Sequence, residues 1–141
     1  MISFEFIDVK VPELSSEFFS FWLTNVVSEE SKSIGGISLI FCSDEHLLAM
    51  NRQYLNHDYY TDIITFDYTE GLEISGDLFI SIDRVYENAM ELTVSREVEL
   101  RRVCVHGVLH LCGYGDKTDD ESRLMRSKED YYIDKYVSRE T

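Results

Sequence analysis

The sequence predicts an α+β fold, a small mixed four-stranded sheet covered by helices, and two observations lead to it. Short segments of alternating or continuous apolar residues mark four strands, and apolar residues at helical spacing mark five helices. Their order is strand, helix, strand, helix, two strands and then helices, which is typical of an α+β sheet with its helices gathered on one face. The length of 141 residues predicts a single domain spanning residues 1–141.

Each element has its own sequence signal. The expected strands are Ile2–Val9, Ile37–Cys42, Ile63–Tyr68 and Asp77–Ile82. The expected helices are Leu14–Val27, a helix from Ser43 to about Tyr54, Asp83–Leu92, Ser95–Cys112, and a helix from Thr118 to about Tyr136. Ser43 is followed by two acidic residues, which the helix dipole favours in a first turn. Thr118 and Glu121 have the spacing of a capping box, so the last helix is expected to begin there.

The composition predicts a folded cytoplasmic protein. Hydrophobic residues make up 44% of the chain and charged residues 28%, both ordinary for a globular domain. No apolar run approaches the ~20 residues that a membrane span needs, so no membrane partner is expected. The first residues alternate like a strand and lack the basic and apolar order of a signal peptide. The odd number of cysteines (Cys42, Cys104 and Cys112) favours reduced thiols.

The charge is unevenly distributed. The formal net charge is −14, and residues 1–100 carry 5 basic and 19 acidic side chains, while residues 101–141 carry 8 of each. An acidic chain does not attract nucleic acid through its overall field, and no DNA partner is expected. Screening over roughly 8 Å still permits a local surface of different sign, so RNA binding stays open.

The chemistry is concentrated in residues 106–116. His106 and His110 are four apart on an expected helix, so both imidazoles lie on one face and can reach one ion. Gly113 is placed to end the helix in a left-handed conformation, which lets Asp116 return as a third, oxygen ligand. Three protein ligands and an open position for a reactive water are the pattern of a catalytic zinc site. The alternative is a buried helix with two core histidines.

The same segment argues against a peptidase. Zinc peptidases with H-E-x-x-H use the glutamate as general base, and Gly107 stands at that position. No side chain is assigned as general acid or base. Asp62 beside Thr61 is a candidate base, and its alternative role is to brace the start of a strand by local hydrogen bonds.

Residues 106–116, His-Gly-Val-Leu-His-Leu-Cys-Gly-Tyr-Gly-Asp, resemble the H-G-x-L-H-L-x-G-Y-D-H signature of the YbeY family. This family comprises bacterial metal-dependent endoribonucleases that mature ribosomal RNA. Further segments are similar to the family's N-x-x-Y-R, T-D-V-L-S-F, G-D-I-x-I-S and R-E motifs, namely residues 51–54, 61–66, 76–81 and 96–97. The resemblance covers about residues 40–130.

The resemblance implies one zinc ion per chain, bound by His106 and His110, with Asp116 at the position of the family's third histidine. It also implies a zinc-dependent endoribonuclease specific for single-stranded RNA, which acts in 16S 3′ end maturation and ribosome quality control. The implied partners are ribosomal RNA and the ribosome or ribosomal proteins. Leu55 stands where the family has an arginine expected to contact phosphate, and Arg52 or His57 are the neighbours that could replace it.

Two other functions stay open at this stage. One is a metal-stabilised, ribosome-associated factor without nuclease activity, which the acidic charge and Leu55 favour. The other is a small-molecule hydrolase on the same scaffold. Several side chains have both a functional and a structural interpretation: Arg101 and Arg102 could steer phosphate or cover a solvated helix face, and Tyr59, Tyr60, Tyr131 and Tyr132 could stack on bases or belong to the core and its rim.

Overall fold

A computed structural model of the protein describes the backbone of residues 1–140 and the side chains through Tyr136. It contains the four strands and five helices that the sequence predicts. The strands are β1 (Ile2–Phe6), β2 (Ser33–Cys42), β3 (Ile63–Asp67) and β4 (Glu73–Ser81). The helices are α1 (Ser16–Glu29), α2 (Asp44–Leu55), α3 (Ile82–Leu92), α4 (Arg96–Leu111) and α5 (Asp119–Glu140).

Hydroxyl side chains begin the helices. The side-chain oxygens of Ser15, Ser43 and Ser95 each accept a hydrogen bond from the backbone N–H three residues later. This satisfies an N–H that has no partner within the helix. At α5, Thr118 accepts from the backbone of Glu121, whose carboxylate accepts from the backbone of Thr118. The predicted capping box is therefore confirmed.

The sheet is mixed, as predicted, with strand order β1-β2-β4-β3. β1 and β4 both run parallel to β2, and β3 runs antiparallel to β4 at the other edge. β2 and β4 begin four residues earlier than expected. Gly35 and Gly36 lie inside β2, where the register with β4 shifts between Ile34 and Ile37.

The main core lies on one face of the sheet, between the strands and helices α1, α3, α4 and α5. Trp22 on α1 is fully buried there, and its indole N–H donates to the carbonyl of Tyr132 on α5. The expectation that all helices gather on this face is wrong for α2. Ile64 and Phe79 point to the opposite face of the sheet, and Leu47 of α2 covers them.

The three cysteines are free, as predicted, with Cys42 and Cys104 buried and Cys112 half-buried. Burial raises the pKa of the Cys42 thiol to about 11. Among the described residues, no helix has both the length and the apolar character needed to cross a bilayer.

Candidate metal centre

Helix α4 carries the two histidines across the sheet at close range. A Cβ atom on Gly107 would lie 2.7 Å from Cδ1 of Ile63 and 3.0 Å from Cδ1 of Leu78, so any larger residue would force these side chains or the helix to shift. Gly107 therefore has a packing role at the position where a zinc peptidase has its glutamate. This contact holds His106 beside the first residues of β3.

The turn after α4 brings Asp116 back toward the two histidines of that helix. Gly113 has φ of +109°, the left-handed conformation that the sequence predicts for it. The backbone N–H of Tyr114 donates to the carbonyl of Leu109 at 3.1 Å. The hydroxyl of Ser122 on α5 donates a hydrogen bond of 2.9 Å to the backbone carbonyl of Asp116 and so holds this residue in place.

Three side-chain atoms converge at this turn. His106 Nε2 lies 3.0 Å from His110 Nε2, and Asp116 Oδ2 lies 3.2 Å from the first and 3.3 Å from the second. Ligand atoms of a tetrahedral zinc ion, each about 2.0–2.1 Å from the metal, stand roughly 3.3 Å apart. The three distances therefore fit three ligands around one ion.

The hydrogen bonds of the two imidazoles point to the same conclusion. His106 Nδ1 lies 2.6 Å from a carboxylate oxygen of Glu129, and His110 Nδ1 lies 2.8 Å from the carbonyl of Tyr114. Both partners only accept, so each Nδ1 carries its hydrogen and each imidazole, when neutral, presents an Nε2 lone pair. Two such lone pairs and a carboxylate oxygen within 3.3 Å repel one another unless a proton or a metal ion lies among them. The residues present therefore fit a divalent metal ion.

Glu129 on α5 organises the site from behind. It is buried, and its other carboxylate oxygen accepts from Arg102 at 2.9 Å, while Arg102 also donates to Asp130 at 2.8 Å. Burial by itself lowers the pKa of His106, but the hydrogen bond and charge of Glu129 outweigh it and raise the pKa above its usual value. A carboxylate behind a ligating histidine is the usual way that proteins orient the imidazole.

Two clefts of about 400 and 440 Å³ open on the candidate ligands, and His110 lines only the larger of the two. The first, which we call the α5-side cleft, lies between α3, α4 and α5. The second, the β3-side cleft, lies between the end of α2 and β3. His106, Asp116 and Asp62 line both clefts, so the candidate centre stands where they meet.

Two further residues predicted from the sequence lie at the site. Asp62 lines both clefts, and burial raises the pKa of its carboxyl although the charge of His106 opposes this. Its role as a general base stays a prediction. Leu55, at the end of α2, lines the β3-side cleft together with Thr61 and His110. The position of the family's arginine therefore does face the candidate metal centre.

The two neighbouring arginines have different environments, and neither lies on a solvated helix face. Arg101 is buried toward α1, with its guanidinium 5.1 Å from the centre of the Phe18 ring. Arg102 is held by Glu129 and Asp130. The expectation that the pair either steers phosphate or covers an exposed face is wrong for Arg101, because the helix turns about 100° between the two.

The tyrosine pairs and the two proposed replacements for the arginine lie mostly elsewhere. Tyr132 is a core residue, while Tyr131 is half-exposed and donates to Glu29 at 2.7 Å. Tyr59 and Tyr60 are exposed, with Tyr59 stacked on His57 and Tyr60 bonded to Glu45. Arg52 pairs with Asp58 on the surface. Neither Arg52 nor His57 lines either cleft.

A mixed four-stranded sheet with two histidines and a carboxylate converging at the end of one helix defines a class of small α+β proteins with a candidate metal centre. A sequence model described as Endoribonuclease YbeY matches residues 2–137 of the chain. The chain belongs to this family, and both the predicted family and the predicted class of enzyme, an endoribonuclease, are confirmed.

Relatives named Endoribonuclease YbeY are similar over most of their length. The protein from Flavobacterium johnsoniae is 55% identical over 119 residues, which cover 84% of this chain and 86% of the relative. The protein from Flavobacterium psychrophilum is 54% identical over 131 residues, 92% of each. Among solved structures, the solution structure of TM1509 from Thermotoga maritima matches 99% of this chain and 93% of its own, with a TM-score of 0.70 and 27% identity.

Proposed function

We propose that the protein is a zinc-dependent endoribonuclease that cleaves single-stranded RNA in the cytoplasm, with one zinc ion held by His106, His110 and Asp116. The observation that carries this proposal is the convergence of three ligand atoms with both imidazoles fixed to present Nε2. Family membership supports RNA as the substrate. Zinc bound there would lower the pKa of a water and offset negative charge on phosphoryl oxygens.

The chain's own residues hold and orient this centre. Glu129 and the carbonyl of Tyr114 fix the two imidazole rings, and Gly107 sets the distance between α4 and the sheet. The clefts on either side leave room for an RNA strand to pass the ligands. Acting as one domain, the protein would use this site on ribosomal RNA, at the 3′ end of 16S precursors, and in ribosome quality control, with the ribosome or its proteins as partners.

Zinc content and RNA cleavage test the proposal together. We expect about one zinc per chain, and chelator-sensitive cleavage of a single-stranded RNA that exceeds cleavage of the same RNA in a duplex. His110→Ala should lose both zinc and cleavage while remaining folded. His46→Ala is the matched control, since it removes an imidazole from α2 outside both clefts. Stoichiometric zinc in His110→Ala would refute the site.

The substrate within the ribosome needs a separate measurement. Incubation with 16S precursor RNA, followed by mapping of the new ends, should locate cleavage near the 3′ end. Cleavage spread evenly along single-stranded regions would refute the assignment to the 3′ end, although it would still support the proposed endoribonuclease activity.

One observation favours the alternative of a ribosome-associated factor without nuclease activity. Among the described residues, no lysine or arginine lines the β3-side cleft, and Leu55 stands at the position of the family's arginine. Zinc bound at full stoichiometry with no cleavage of any single-stranded RNA would favour this alternative.

A further inference from the structure

The α5-side cleft has the size and lining of a ligand site. Its volume of about 400 Å³ falls in the usual range for small-molecule pockets. Leu92, Val103 and Met125 supply apolar walls, and Asn88 supplies an amide. One end of the cleft opens on His106, so a ligand in it lies next to the candidate metal centre.

Among the residues whose side chains the structure describes, one cation that lines these clefts forms no direct hydrogen bond or ion pair. Arg102 and Arg126 are the lysine or arginine residues that line either cleft, and Arg102 is held by two carboxylates. Arg126 is exposed on α5, and within the part of the chain whose side chains are described it takes part in no direct hydrogen bond or ion pair. Burial raises the pKa of the Glu99 carboxyl, and the charge of Arg126 acts at longer range to offset part of that rise.

An acceptor without a partner lies in the same cleft. Glu99 is buried and lines the cleft, and among the described residues its Oε1 has no hydrogen-bond partner. A buried polar atom without a partner is destabilising, so a ligand that donates a hydrogen bond to it would recover the lost free energy. The exposed cation, the apolar walls and the buried acceptor together match a nucleotide, whose phosphate is anionic, whose base is flat and whose base edge carries N–H groups.

We propose that the α5-side cleft binds the nucleotide next to the scissile phosphate, with Arg126 contacting its phosphate and Glu99 accepting an N–H from its base. This rests on the proposed endoribonuclease function and assigns its substrate-binding site. Arg126 then supplies, from α5, the positive charge that Leu55 does not supply from α2.

The first test is the binding of a labelled single-stranded RNA to the zinc-loaded protein at several salt concentrations. Arg126→Ala should weaken binding roughly tenfold at low salt and reduce the slope of log affinity against log salt by about 0.7, the loss of one phosphate contact on a single strand. Arg126→Lys, which keeps the charge, should keep the slope. Zinc content should stay unchanged.

Arg123→Ala is the matched control on the same helix. Arg123 is exposed, pairs with Asp120 and does not line the cleft, so its removal should leave the affinity and the slope unchanged. If Arg126→Ala behaves like Arg123→Ala, the phosphate contact is refuted while cleavage by the parent still supports the proposed function. Binding that depends on Arg126 without any cleavage would support the subsite and refute the nuclease. A parent that neither binds nor cleaves RNA would overturn both.

The second test concerns the base. The ends produced by the parent from a random single-stranded RNA should show a preference beside the cut, and Glu99→Gln should change it, because the amide replaces one acceptor with a donor. Glu97→Gln is the control, an exposed carboxylate in the first turn of the same helix. An identical preference in the parent and Glu99→Gln would refute the base contact.

Discussion

Glu129 should set the zinc affinity of the site although it would not touch the metal. Its carboxylate holds Nδ1 of His106 at 2.6 Å in a buried position. Loss of such a partner typically costs 10–100-fold in metal affinity, or about 1.4–2.7 kcal/mol. Gln keeps an acceptor oxygen and loses the charge, so Glu129→Gln should lose about tenfold in zinc affinity. Glu129→Ala removes the hydrogen-bond partner altogether and should lose about a hundredfold.

The assay is a zinc titration in competition with a coloured chelator, accompanied by thermal unfolding of the zinc-free protein. Asp130→Asn provides the matched control, because Asp130 also accepts from Arg102 but does not contact His106. Zinc affinity of Glu129→Ala within about twofold of the parent would contradict the argument, since measured effects begin near tenfold. Equal losses of zinc affinity in Asp130→Asn and Glu129→Gln would show that the loss comes from releasing Arg102 and not from the contact between Glu129 and His106.

Substitutions at four further positions test the remaining conclusions. Asp116→Ala should weaken zinc binding by roughly a hundredfold or more and Asp116→His should retain it; unchanged affinity in Asp116→Ala would exclude Asp116 as a ligand. Leu55→Arg should raise RNA cleavage roughly tenfold by adding a cation to the β3-side cleft, as measured by initial rates, and an unchanged rate would show that this cleft needs no cation. Gly107→Ala should lower the free energy of unfolding by about 1 kcal/mol in urea melts, because overpacking against Ile63 exceeds the gain in helix propensity; a more stable variant would contradict this. Hydrogen bonds to Glu30 overcome its burial and lower its pKa, so its contribution to stability is present above the ordinary value of 4.5 and lost as pH falls through the lowered pKa. Stability of Glu30→Gln should therefore fall less on acidification, and parallel pH profiles would refute this.

The parts of the site that local sequence dictates could be predicted. The spacing of His106 and His110, the left-handed turn at Gly113 and the return of Asp116 all follow from residues within one segment, and the structure brings them together. Gly115 is different. Its φ is not positive, and a Cβ there would lie 2.8 Å from a carboxylate oxygen of Glu121, so the reason for glycine is close packing against helix α5.

Contacts between distant elements could not be predicted. Glu129 lies 23 residues after His106, on a different helix, and nothing in its neighbourhood distinguishes it from a surface glutamate. The same holds for Arg101 and Arg102, whose different environments depend on where α1 and α5 pack around α4. The position of α2 on the second face of the sheet depended on apolar residues on both faces of β3 and β4. That pattern was present in the sequence, but it does not specify which helix covers it.

The acidic composition bears on how RNA can reach the site. Several carboxylates near α5 are already engaged inside the protein: Glu129 holds a histidine and an arginine, and Glu30 accepts from two tyrosines and Lys128. These charges dock α5 against α1 and α4, so they are part of the fold rather than a surface that selects partners. The remaining acidic excess repels a polyanion at long range, and salt screens that repulsion. If the protein binds RNA as proposed, recognition would depend on short-range contacts in the two clefts, where the proposed zinc ion and the exposed Arg126 side chain would supply the positive charge.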